Sequence, residues 1–200
     1  MQYRTLGKAG VLVSAIGLGT NQFGSDSVSQ EDVNGMVDAA EDLGINFIDT
    51  ANIYVQGRSE ETLGKALKGR WDRFILSTKF CMKMGDGTND RGGSRYHMMN
   101  AVEDSLRRLK NDYIDLYYIH RWDEKTPICE TLRALDDLVR MGKVRYLGAS
   151  EFASWQLAES NVLAELQGWS AFTALQSHYH MMKRDVERDV LTCRYSSRFM

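Results

Sequence analysis

The chain has 200 residues, 43% of them apolar, enough for one sizeable hydrophobic core and too few for two full α/β domains. Its 25 lysines and arginines face 27 acidic residues, a net charge of −2 with no long run of either sign, which argues against a nucleic-acid or anionic-membrane partner. No stretch reaches the roughly 18 apolar residues of a membrane span, and Met1-Gln2-Tyr3-Arg4 lacks the apolar core of a signal peptide, so a single cytoplasmic domain is expected.

The elements open with an expected hairpin, strands at 3–6 and 11–13 around a turn at 7–10. Strands and helices then alternate. The strands expected are 15–18, 46–49, 74–78, 114–119, 144–149 and 172–176, most of them continuous apolar runs, as parallel strands covered on both faces tend to be. Between them lie helical patterns. Val33, Met36, Val37, Ala40 and Leu43 fall on one helical face, and others follow at 63–67, 102–109, 132–141, 157–166 and 186–191. The helix over 132–141 is the best punctuated, with Thr126 as N-cap, Pro127 in the first turn and Gly142 beyond the last.

Repeated βα units allow an open doubly wound sheet or a closed (β/α)8 barrel. Gly17-Leu18-Gly19-Thr20 has no third glycine at the spacing of a dinucleotide-binding turn, whereas polar residues close the ends of several consecutive strands, which is the habit of the barrel. The fold expected is therefore a (β/α)8 barrel with an N-terminal hairpin. Only six βα units are counted, against about 250 residues for a full barrel. Such a gapped barrel exposes the edges of its first and sixth strands, and is expected to be poorly stable alone or closed by a partner chain or a second copy.

Those strand ends carry Asp49, Tyr54, Lys79 and His120. A phenol holds its proton to about pH 10, and a neighbouring ammonium favours the phenolate. Lys79 could act so on Tyr54, Asp49 could balance the buried lysine charge, and His120 could orient or polarise the same oxygen. Together they make a site for moving a proton to or from a carbonyl oxygen. Cys81, Cys129 and Cys193 are odd in number and lack the paired spacing of a zinc site, so reduced structural thiols are expected and no metal. His97 reads as helix surface, and Arg107-Arg108 and Lys183-Arg184 as solvated charges. His178 and His180 read as residues near the barrel mouth, and Trp122 equally well as substrate wall or packing.

The stretch Asn46-Phe47-Ile48-Asp49-Thr50-Ala51-Asn52-Ile53-Tyr54, with Gly57, Ser59-Glu60 and Leu63-Gly64, resembles the signature of the aldo-keto reductase family. Ser77-Thr78-Lys79 resembles its lysine segment. Tyr118-Ile119-His120-Arg121-Trp122-Asp123 resembles its histidine segment in the branch that holds bacterial reductases and potassium-channel beta subunits. The resemblance runs from about Tyr3 to about Leu191. It implies reduction of an aldehyde or ketone with NADPH as cofactor, Tyr54 as general acid, Lys79 and Asp49 as its tuners and His120 as the group that orients the carbonyl. It also implies that Ser150 and Gln176 hold the nicotinamide carboxamide, and that Gly19, Thr20 and Asn21 line the same pocket. Glu151, where many members have asparagine, is not counted as a site residue. The family's seventh and eighth strands, with their phosphate-binding loops, have no counterpart in the tail 191–200. A catalytically silent interaction protein is therefore the alternative reading.

Overall fold

The computed structural model describes residues 1–191. A hairpin of β1 (Tyr3–Thr5) and β2 (Leu12–Ser14) precedes a parallel sheet of β3 (Leu18–Gly19), β4 (Phe47–Asp49), β5 (Ile75–Phe80), β6 (Ile114–Ile119), β7 (Val144–Ser150) and β8 (Phe172–Gln176), paired in chain order. The connecting helices are α1 (Gln30–Asp42), α2 (Arg58–Ala66), α3 (Arg95–Leu109), α4 (Ile128–Arg140) and α5 (Ser154–Gln167). The sheet curls into an incomplete (β/α)8 barrel whose edge strands, β3 and β8, each have one neighbour.

Alternation along the strands sorts their side chains into two layers. Ile48, Leu76, Tyr117, Ile119, Leu147 and Ala149 share one cluster with helix residues such as Leu63, Val102, Leu132 and Leu135. Leu116 and Tyr118 turn the other way and pack on Leu6, Ala9 and Val13 of the hairpin. The hairpin thus plugs the barrel at the N-terminal ends of the strands, where Phe47 and Ile75 pack against it. Its turn passes so close under β8 that a Cβ on Gly7, at φ +55°, would lie 1.8 Å from the Thr173 carbonyl oxygen. Asn46 fastens the plug, accepting from the Ser14 amide at 2.7 Å and donating to the Leu12 carbonyl at 3.0 Å.

Several expected boundaries shift. The first barrel strand is Leu18–Gly19 rather than 15–18, because Ser14 pairs with Tyr3 in the hairpin and the Ala15 amide donates to the Gln2 carbonyl. β5 runs on to Phe80, so Lys79 lies within the strand instead of after it. In α1, Val33, Val37 and Ala40 are buried, but Met36 and Leu43 remain 42% and 65% exposed, since the stripe facing the sheet is narrower than the apolar pattern. The N-cap of α4 is Pro127, one residue later than Thr126, whose hydroxyl donates instead to Asp123. The helix expected at 186–191 is a 3₁₀ turn over Asp185–Glu187, followed by helical residues at 190–191. Cys81 is buried, Cys129 is exposed, both are free, and Cys193 lies outside the described residues.

Candidate active site

At the C-terminal ends of β4 and β5 two of the expected groups, Asp49 and Tyr54, meet the ammonium of a third, Lys79. Lys79, fully buried, donates from Nζ to Asp49 Oδ2 at 2.7 Å, to the Thr50 carbonyl at 2.9 Å and to Tyr54 Oη at 3.3 Å. Its three N–H groups are thereby all engaged, which is the condition for burying a lysine charge. Asp49 is oriented in turn by Ser77 Oγ, which donates to Oδ1 at 2.7 Å. Register explains the meeting: Asp49 lies beside Ser77, two residues before Lys79 on the same face of β5.

Tyr54 sits in a short turn whose next two residues, Val55 and Gln56, have φ of 47° and 55°, followed by Gly57 at 91°. A β-branched residue in the left-handed region is strained, and such strain persists only where the surroundings over-determine it. Here they do. Ser59 bonds Thr20 and Thr50; buried Glu60 accepts from Thr78 Oγ1 at 2.6 Å and from Arg108 Nε at 2.7 Å; Gly57 lies against the Arg108 side chain. Gly64 lets α2 approach the last carbonyls of α3, where a Cβ would stand 2.5 Å from the Leu109 oxygen. Each residue of the motif after Tyr54 thus fixes the turn that carries the phenol. Arg108 is accordingly no solvated charge: it neutralises Glu60, and of the adjacent arginines only Arg107 is exposed.

His120 follows β6, with its ring edge-on to Tyr54 at a centroid separation of 6.1 Å. Burial, with the nearby Lys79 charge adding to it, brings its pKa down to about 4, so the imidazole is neutral at pH 7. Its Nδ1 is buried without a hydrogen-bond partner among the described residues. A neutral ring can donate to a carbonyl oxygen without adding a second cation beside Lys79. Tyr118, one layer below on the same strand, has its pKa raised by burial and by the Asp49 charge, and so stays a neutral wall.

Ser150 and Gln176 are neighbours in register at the ends of β7 and β8, and neither side chain makes a hydrogen bond among the described residues. A hydroxyl and an amide, both free at adjacent strand ends, fit a carboxamide that needs a donor and an acceptor. Gly19 and Asn21 are exposed beside β3. Thr20 is fully buried, its hydroxyl shared between the Asp49 carbonyl and Ser59, so its polar atoms are turned inward. Glu151, at φ 54°, accepts from the His178 amide at 2.6 Å. Trp122 packs edge-on to Phe152 and Trp155. His97 is buried at 5% exposure and is not a surface residue. His178 and His180 are exposed after β8 with ring centroids 4.9 Å apart. Among the described residues no group of three or more His, Cys, Asp or Glu side chains is placed to hold a metal, and no helix is long and apolar enough to cross a membrane.

The model of the Aldo/keto reductase family matches residues 15–195, which include every residue of this cluster. The chain belongs to the aldo/keto reductase family. Among its relatives, the aldo-keto reductase NECHADRAFT_45914 of Fusarium vanettenii is 38% identical over 96% of this chain and 60% of its own length. The oxidoreductase YrpG of Bacillus subtilis is 37% identical over 96% and 62% respectively, and a probable voltage-gated potassium channel subunit beta of Arabidopsis thaliana 35% over 92% and 57%. The chain therefore spans about 60% of the length of the family members it matches. What sequence reading missed was the support of the aldo/keto reductase cluster, namely Ser77, the Thr50 carbonyl and the Glu60–Arg108 pair. The motif positions of Thr50, Glu60 and Ser77 hinted at it, whereas Arg108 carried no such signal.

Proposed function

We propose that this chain carries the proton-transfer half of a carbonyl reductase, with Tyr54 protonating the oxygen of an aldehyde or ketone. The observation that carries the reading is the Asp49–Lys79–Tyr54 chain, at 2.7 and 3.3 Å, with neutral His120 alongside. When the phenol gives up its proton, the ammonium 3.3 Å away stabilises the phenolate, and Asp49 holds that ammonium in place. His120 donates to the carbonyl oxygen and fixes its approach to Tyr54. A nicotinamide cofactor, proposed as NADPH from the family likeness, supplies the hydride when bound, and Ser150 and Gln176 are the residues to hold its carboxamide. The silent-interaction reading is the weaker one, because a chain without chemistry has no use for a lysine kept charged at the barrel mouth at such desolvation cost.

The experiment is steady-state reduction of a panel of aldehydes and ketones, with NADPH and NADH titrations followed by tryptophan quenching. Tyr54→Phe should lower turnover on the order of a thousandfold with cofactor affinity nearly unchanged. Equal turnover by that variant sinks the assignment.

A further inference from the structure

A second polar site lies outside the barrel mouth, between α3, the loop before it and the β4–α2 connection. The lining of a cavity of ≈ 220 Å³ there includes Asn52, Met84, Asp90, His97, Asp104 and Arg108. Asn52 is 1% exposed and His97 5% exposed. Yet both amide atoms of Asn52 and Nε2 of His97 lack a hydrogen-bond partner among the described residues. Buried polar groups in native proteins are almost always satisfied, and leaving one unpaired costs about 1–3 kcal/mol. Two of these atoms, Asn52 Oδ1 and His97 Nε2, stand at one cavity and point to an occupant that bonds to both.

The lining tells which kind. The other ring nitrogen of His97 is tied to the Asn89 backbone, and burial holds the imidazole below its ordinary pKa, so Nε2 presents a lone pair and no proton. Asp90 and Asp104 both act on that ring through their charge. Arg107 pairs with Asp104 as Arg108 pairs with Glu60, so Asp90 is the lining charge with no ion-pair partner among the described residues, which favours a ligand bringing N–H groups with a positive charge. Met84 and Ala101 supply an apolar wall for a short hydrocarbon chain.

We propose that this cavity binds a primary alkylammonium ion, its nitrogen donating to His97 Nε2 and Asn52 Oδ1 in the field of Asp90 and Asp104 and its chain lying on Met84 and Ala101. The proposal is independent of the reductase reading. Isothermal titration of the 200-residue protein with butylammonium chloride at pH 7.5 and fixed ionic strength tests it, with potassium chloride and butanol as reference titrants. The expected result is saturable uptake of one butylammonium per chain, weakened at least fivefold in Asp104→Asn and lost in Asn52→Leu. Asn52→Leu should also unfold at a higher urea concentration than the parent, which separates lost binding from lost fold. The assignment is overturned by no saturable heat, by equal affinity in both variants, or by equal saturation with potassium or butanol.

Discussion

Asn52 and Tyr54 stand two residues apart on one short connection, and the two regions they serve are opposites. On the Tyr54 side every donor of Lys79 has an acceptor, Asp49 is held by Ser77, and the strained turn is anchored through Ser59 and Glu60. On the Asn52 side polar atoms are equally buried but unpartnered among the described residues. A satisfied charge network in low dielectric is stiff and costly to break. An unsatisfied one stores a penalty that either an occupant or an apolar substitution relieves. Removing a group should therefore destabilise the first region and stabilise the second.

The largest expected effect is from Lys79→Met, which leaves Asp49 without its cation. Urea denaturation should show a loss of about 3–5 kcal/mol, together with loss of any carbonyl reduction. Arg108→Met strands the fully buried Glu60 carboxylate and should cost about 3 kcal/mol, and the double variant with Glu60→Gln should recover part of it. A double-mutant cycle that proves additive would show that the pair does not support the turn.

The acid response comes next. His120 has its pKa lowered to about 4 from 6.5, and the unfolded chain therefore binds the proton first. Stability should rise with pH between about 4 and 6.5, be fully present above that window, and be lost as pH falls through it. His97 adds in the same direction. His120→Gln should flatten the profile measured by denaturant midpoint against pH. Asn52→Leu is the inverse test, an increase of about 1 kcal/mol from one polar-to-apolar change. The smallest effect belongs to rim pairs such as Lys83–Asp86, both strongly exposed, where Asp86→Ala should leave the midpoint unchanged.

Much of this arrangement was legible before any coordinates. The barrel strands show as apolar runs because both faces are covered, and six of them in sequence order are what the sheet contains. Asp49, Tyr54, Lys79 and His120 could be singled out because they end such runs in a recognisable pattern. The errors share a cause. Arg107 and Arg108 are indistinguishable as letters, and only the rotation of α3 decides that the second turns toward Glu60, 48 residues away. His97 reads as helix surface until the loop before α3 folds over it. Local signals in the chain determined which elements form and which residues are candidates for the proposed proton chemistry, since periodicity, caps and strand ends act over a few residues. Only the tertiary structure decided which polar groups are paired and which are left waiting, because that balance depends on contacts between segments far apart in the chain.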